Sequence, residues 1–75
     1  MLLCLDAGNT RLKYGLRDDS GWRLQGLLAY PDFDALTVQL PQRPSRIVAC
    51  NVAGEAIRLR IAALAGSLDV PLVWL

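Results

Sequence analysis

The chain has 75 residues with 8 basic and 7 acidic side chains, a net charge of +1, and a hydrophobic fraction of 53%. A chain this short forms one domain at most and buries only about 60% of its unfolded surface. The hydrophobic content excludes a disordered tail, the balanced charge gives no electrostatic footprint for nucleic acid or an anionic membrane, and no apolar run approaches the roughly 18 residues of a bilayer span.

Residues 2–6 open the chain as an apolar run cut short by Asp6. No basic region precedes it, so it reads as a strand covered on both faces rather than a signal peptide. The turn Ala7-Gly8-Asn9 follows. Over residues 11–17 the pattern alternates: Leu12, Tyr14 and Leu16 on one face, Arg11, Lys13 and Arg17 on the other. Such alternation is the mark of a half-buried strand. Asp18-Asp19-Ser20-Gly21 is turn chemistry, and residues 22–29 resume as a third strand, so the first three elements form an antiparallel meander.

The period changes after Pro31. Asp32 is expected to cap a helix whose Phe33, Leu36 and Leu40 share one face, and Pro41 and Pro44 bracket its exit. Asp32 and Asp34 are explained by capping and the helix dipole rather than as a metal-binding pair. Residues 46–50 form a fourth, apolar strand. Gly54 opens a second helix with Ile57, Ile61, Leu64 and Leu68 in one stripe and Gly66 as its expected C-terminal cap. Glu55 is placed to pair with Arg58, while Arg58 and Arg60 are expected to be solvated. Val70 to Leu75 begins a fifth strand, and Val70, Leu72 and Trp74 are expected to present apolar surface along an unpaired edge, which favours self-association. Trp22 and Tyr14 read as packing residues.

The order β-β-β-α-β-α-β in a mixed α/β sheet resembles the ribonuclease-H-like half-domain of actin-like ATPases. The chain stops inside an apolar strand, so residues 1–75 are expected to be a truncated N-terminal part of one such domain. There is no His, which removes the commonest general base. Cys4 and Cys50 fit no metal or redox spacing, read as free thiols, and suit a reducing cytoplasm.

Leu5-Asp6-Ala7-Gly8-Asn9-Thr10-Arg11-Leu12-Lys13 carries the chemistry. A tight strand-turn-strand gathers backbone N–H groups into a concavity suited to phosphate oxygens. Gly8 removes a Cβ from the approach, Asn9 tolerates left-handed torsions and adds an amide, and Thr10 adds a hydroxyl. Asp6 ends a buried strand, where a lone carboxylate is costly, and can hold a hydrated cation bridging the phosphates. Lys13 is the nearest countercharge. The competing reading is an ordinary Gly-Asn hairpin turn.

Asp-x-Gly-Asn-Thr-x-x-Lys resembles the first phosphate motif of the type III pantothenate kinases, a family that includes the Bvg accessory factor-like proteins. Val48-Ala49-Cys50-Asn51-Val52-Ala53 resembles that family's second strand end, commonly Ser-x-Val, with Cys50 where Ser is usual. The resemblance implies a cytoplasmic kinase that uses ATP, Mg²⁺ and a monovalent cation (K⁺ or NH₄⁺) to phosphorylate pantothenate in coenzyme A synthesis, with a second copy of the full-length protein as its partner in a homodimer. It implies phosphate-loop roles for Asp6, Ala7, Gly8, Asn9, Thr10, Arg11, Leu12 and Lys13, with Asp6 at the metal. The family's catalytic Asp lies in a Gly-x-Asp-Arg motif that these residues do not contain, so the chain alone is expected to be inactive. A non-catalytic, nucleotide-binding transcriptional regulator is the alternative within the family. A ribonuclease-H-type nuclease would also use Asp6, but its two-metal chemistry needs further acids, and the fourth strand ends in Cys50-Asn51.

Overall fold

Alternating apolar residues and two tight turns fold the first third of the chain back on itself twice. In the computed structural model, which describes residues 1–75, strands β1 (Leu2–Ala7), β2 (Arg11–Asp18) and β3 (Gly21–Ala29) form the expected antiparallel meander. Asp18 closes the second turn by accepting from the Ser20 N–H at 2.8 Å and pairing with Arg23 at 2.6 Å. Gly21 takes φ of 126° there, a conformation open to glycine and strained for other residues. A bulge between Leu16 and Arg17 swings Trp22 opposite Arg17, whose guanidinium lies 5.3 Å from the ring centroid.

Strand β4 (Arg46–Asn51) then pairs with β1 in parallel, and β5 (Leu72–Trp74) with β4, giving the order β3-β2-β1-β4-β5. This mixed five-stranded α/β sheet agrees with the ribonuclease-H-like half-domain expected from the element order. Helices α1 (Ala35–Gln39) and α2 (Glu55–Leu68) supply the other layer. From the sheet, Leu3, Leu5, Leu12, Leu16 and Ile47 are fully or almost fully buried, and they meet Phe33, Leu36, Ile61 and Leu64 from the helical side. Tyr14 joins them, its ring lying across Gly26, where a Cβ would collide with it.

Local detail departs from the sequence expectations in four places. Asp32 does not cap a helix. It ends a 3-10 turn, Tyr30–Asp32, and α1 starts only at Ala35, with Asp34 in the cap position and no side-chain cap bond at either. Pro31 favours this tight turn by fixing φ near its start, and Phe33 N–H donates to the Tyr30 carbonyl at 3.1 Å. Leu40, placed on the helical face, is already extended at the C-terminal cap.

Gly66 lies inside α2 rather than capping it. Asp69 takes the left-handed position (φ 55°), with Asp69 N–H on the Gly66 carbonyl and Val70 N–H on the Ala65 carbonyl, the paired bonds of a Schellman ending. Arg60 is not simply solvated: it donates to the Tyr30 carbonyl at 2.9 Å, stands over the Phe33 ring and pairs with Asp34 at 3.6 Å. Glu55 and Arg58 do pair, at 3.6 Å.

The fourth departure concerns the edge strand. Val70, Leu72 and Trp74 pack against the core, and the residues left outward are Val73 and Leu75. Helix α2 covers the first set, because side chains alternate across a strand and only one face of the sheet carries helices. The uncovered face holds Cys4, Asp6, Lys13, Trp22 and Leu27 around a shallow concavity of about 620 Å³.

Ile61 is the fully buried centre of the α2 stripe, whereas Leu59 on the same helix is 57% exposed. Ile61→Ala should therefore cost about 2–5 kcal/mol, comparable to the whole stability of a core this small. Leu59→Ala should stay within about 0.5 kcal/mol. Urea unfolding of both variants against the unsubstituted chain checks the contrast, and equal losses would contradict the assigned packing.

Candidate functional site

The parallel pairing of β1 with β4 sets Asp6 beside Cys50 and Ala7 beside Asn51, while the antiparallel pairing with β2 sets Asp6 opposite Lys13. The chain leaves β1 through Gly8, Asn9 and Thr10, and Gly8 N–H closes this turn on the Arg11 carbonyl at 3.0 Å. Asn9 and Thr10 are exposed, and their N–H groups donate to no backbone carbonyl. Two main-chain donors next to each other, with the donors of the Thr10 hydroxyl and the Asn9 amide in the same turn, form a set suited to an oxyanion.

The turn is built without left-handed backbone. Neither Gly8 nor Asn9 has positive φ, so the expected role of Asn9 as a left-handed residue is not realised. A Cβ on Gly8 would lie 3.4 Å from the Arg11 carbonyl oxygen, an ordinary contact. Backbone conformation therefore does not require glycine at this position.

The motif's side chains divide between the two faces of the sheet. Ala7 and Leu12 are fully buried in the core, so among the expected phosphate-loop residues these two can contribute main chain only. Asp6, Arg11 and Lys13 are exposed and alternate onto the face without helices. The exposure of Asp6 also removes the argument that it must be paired because it ends a buried strand. Its carboxylate instead accepts from the Cys50 thiol at 3.2 Å. That bond, followed by burial and by the Asp6 charge, pushes the Cys50 thiol above its ordinary range, because a thiolate there would face a carboxylate.

No group of three or more His, Cys, Asp or Glu side chains gathers anywhere in the chain. A divalent cation at Asp6 would thus have one carboxylate from the protein, the arrangement suited to Mg²⁺ that keeps its waters and shares phosphate oxygens. The donor set of the turn and this single carboxylate fit a metal–polyphosphate ligand.

Two further residues hold the turn in place. Asn51 folds the β4–α2 connection into an Asx turn, its Oδ1 accepting from Ala53 N–H at 2.8 Å and its Nδ2 donating to the Gly54 carbonyl at 2.9 Å. Val52 N–H then reaches the Ala7 carbonyl at 2.9 Å. Asn directly after a strand is a local turn signal, so this part was legible in principle. On the other side Tyr30 brings its hydroxyl to the carbonyls of Gly8 and Arg11. Nothing in the local pattern around Tyr30 marks that role, since its partners lie some twenty residues upstream.

No protein-family model matches the chain. Among curated proteins it is 38% identical to a type III pantothenate kinase of Dechloromonas aromatica strain RCB, over 81% of the chain and 26% of that relative. It is 35% identical to one of Nitrosospira multiformis, over 100% of the chain and 29% of the relative, and 40% identical to one of Aromatoleum aromaticum, over 84% and 27%. The chain thus spans less than a third of the length of the curated relatives it matches.

The Cys50–Asp6 contact has a measurable consequence. Because the Asp6 carboxylate favours the protonated thiol, Asp6→Asn should speed alkylation of Cys50 by iodoacetamide at pH 8. A thiol whose folded pKa is raised contributes its stabilisation fully below the pKa of the unfolded thiol, and this contribution is lost as pH rises through the folded value. Unchanged alkylation of Cys50, followed by mass spectrometry with Cys4 as internal reference, would show that the contact has no electrostatic weight.

Proposed function

From its similarity to type III pantothenate kinases over 81% to 100% of its length, we propose that residues 1–75 are the ATP-phosphate-holding, N-terminal part of an actin-like ATPase domain in an enzyme that phosphorylates pantothenate in coenzyme A synthesis. The observation that carries the reading is the pair of N–H groups at Asn9 and Thr10 that no backbone carbonyl receives, in the turn that follows Asp6. A cytoplasmic location and a homodimeric full-length protein accompany this proposal.

In this reading Asn9 and Thr10 hold phosphate oxygens through their N–H groups, with the Thr10 hydroxyl adding a donor. Gly8 leaves room for the ligand. Asp6 orients a hydrated Mg²⁺, and Lys13, across the ladder from Asp6, sits close enough in register to offset phosphate charge, with Arg11 further along the same face. Bound Mg²⁺ supplies neutralisation of the charge on the transferring phosphoryl group. The monovalent cation, K⁺ or NH₄⁺, has no ligand assigned among these residues. Phosphoryl transfer also needs groups on the opposite side of the cleft, and no Gly-x-Asp-Arg stretch occurs in the 75 residues.

The chain alone should accordingly form no phosphopantothenate from ATP and pantothenate. A coupled assay against a mock-purified control checks this, and turnover above that control would place the full catalytic machinery within these residues. In a full-length protein carrying this segment, Asp6→Asn should lower kcat by about 10²–10³, the order lost with one preorganised electrostatic contact, while circular dichroism stays unchanged. Wild-type turnover at saturating Mg²⁺ would remove Asp6 from the metal.

A further inference from the structure

We propose that Tyr30 is the positioning residue of the Gly8–Thr10 turn, its hydroxyl setting the plane of the Gly8–Asn9 peptide and so the direction in which the Asn9 N–H faces. The functional half of this inference rests on the phosphate reading above.

In a planar trans peptide the C=O of one residue and the N–H of the next point in opposite directions. The Gly8 carbonyl is held by the Tyr30 hydroxyl, so the Asn9 N–H of the same peptide is aimed away from Tyr30. Glycine makes the alternative accessible, because without a Cβ the peptide on its carbonyl side can flip at little steric cost. A flipped peptide would present the Gly8 carbonyl oxygen where the Asn9 N–H had been, replacing a donor with an acceptor that repels phosphate. The same hydroxyl lies 3.1 Å from the Arg11 carbonyl, which receives the Gly8 N–H, but its single proton goes to the nearer Gly8 carbonyl.

Tyr30 is itself anchored. Its own carbonyl accepts from Arg60 at 2.9 Å, Pro31 follows it, and its half-buried ring packs on the core. Burial, then the Asp6 charge, pushes the phenol above its ordinary range, which keeps the proton on the hydroxyl.

Tyr30→Phe removes the hydroxyl and keeps the ring. Two measurements on the chain test it: hydrogen exchange of the segment 7–12 against the segment 2–6 without ligand, and a ³¹P titration with inorganic triphosphate and Mg²⁺. The expected result is about twofold to tenfold faster exchange in 7–12 alone, the span of one hydrogen bond's net contribution, with triphosphate bound weaker by a similar factor. Unchanged exchange in 7–12 overturns the proposal, as does an equal rise in 2–6, which is general loosening. So does faster exchange in 7–12 with triphosphate affinity unaltered. Local loosening in a chain that, unsubstituted, binds no triphosphate upholds the positioning role and sinks the phosphate reading instead.

Discussion

Everything at the candidate site depends on β1 being hydrogen-bonded along both edges. Its antiparallel partner β2 returns the chain immediately after Ala7, and its parallel partner β4 ends at the same level. A parallel partner cannot be reached by a short turn and requires a long crossover, here the segment containing β3 and α1. The turn after β1 and the connection after β4 therefore open at the same edge of the sheet, although they are more than forty residues apart in sequence. In an open sheet with parallel strands, the carboxyl ends of those strands are where ligands are held.

That edge is chemically two-sided. Toward the core, Ala7 and Leu12 disappear among apolar side chains. Toward the open face, Asp6, Cys50 and Lys13 stand on adjacent strands, and the backbone between them offers N–H groups with no internal partner. Exposed donors of this kind are satisfied by water and do not weaken the fold, so they remain available to an anion. Their orientation needs support from outside the hairpin, which comes from Val52 N–H on the β4 side and the Tyr30 hydroxyl on the other. Arg60 connects the second support to α2 by binding the Tyr30 carbonyl, the Phe33 ring and Asp34 together.

The departures from local expectation share one cause. Near neighbours point to Asp32 and Gly66 as caps and Arg60 as a solvated cation, whereas Asp34 and Asp69 hold the cap positions and Arg60 is engaged by residues of another element. Pro31 imposed a 3-10 turn before α1 could start. Asp69 supplied the left-handed ending directly after the last residue of the stripe, Leu68, a conformation that Asp tolerates better than most side chains. Val70, Leu72 and Trp74 exchanged roles with Val73 and Leu75 because the helix layer covers one face only.

Periodicity and turn chemistry by themselves determined the element order, the meander of the first three strands, the core residues Leu12, Tyr14, Leu16 and Ile61, and the position of the Gly8 turn. These are properties of near neighbours along the chain, where alternation of two or a stripe every three to four residues records which side is buried. The pairing of Cys50 with Asp6, the burial of Ala7 away from the turn, and the hold of Tyr30 on Gly8 and Arg11 were decided only by the tertiary structure. Each is a contact across at least two elements, and its geometry is set by strand register and by the path of the crossover, which no local pattern encodes.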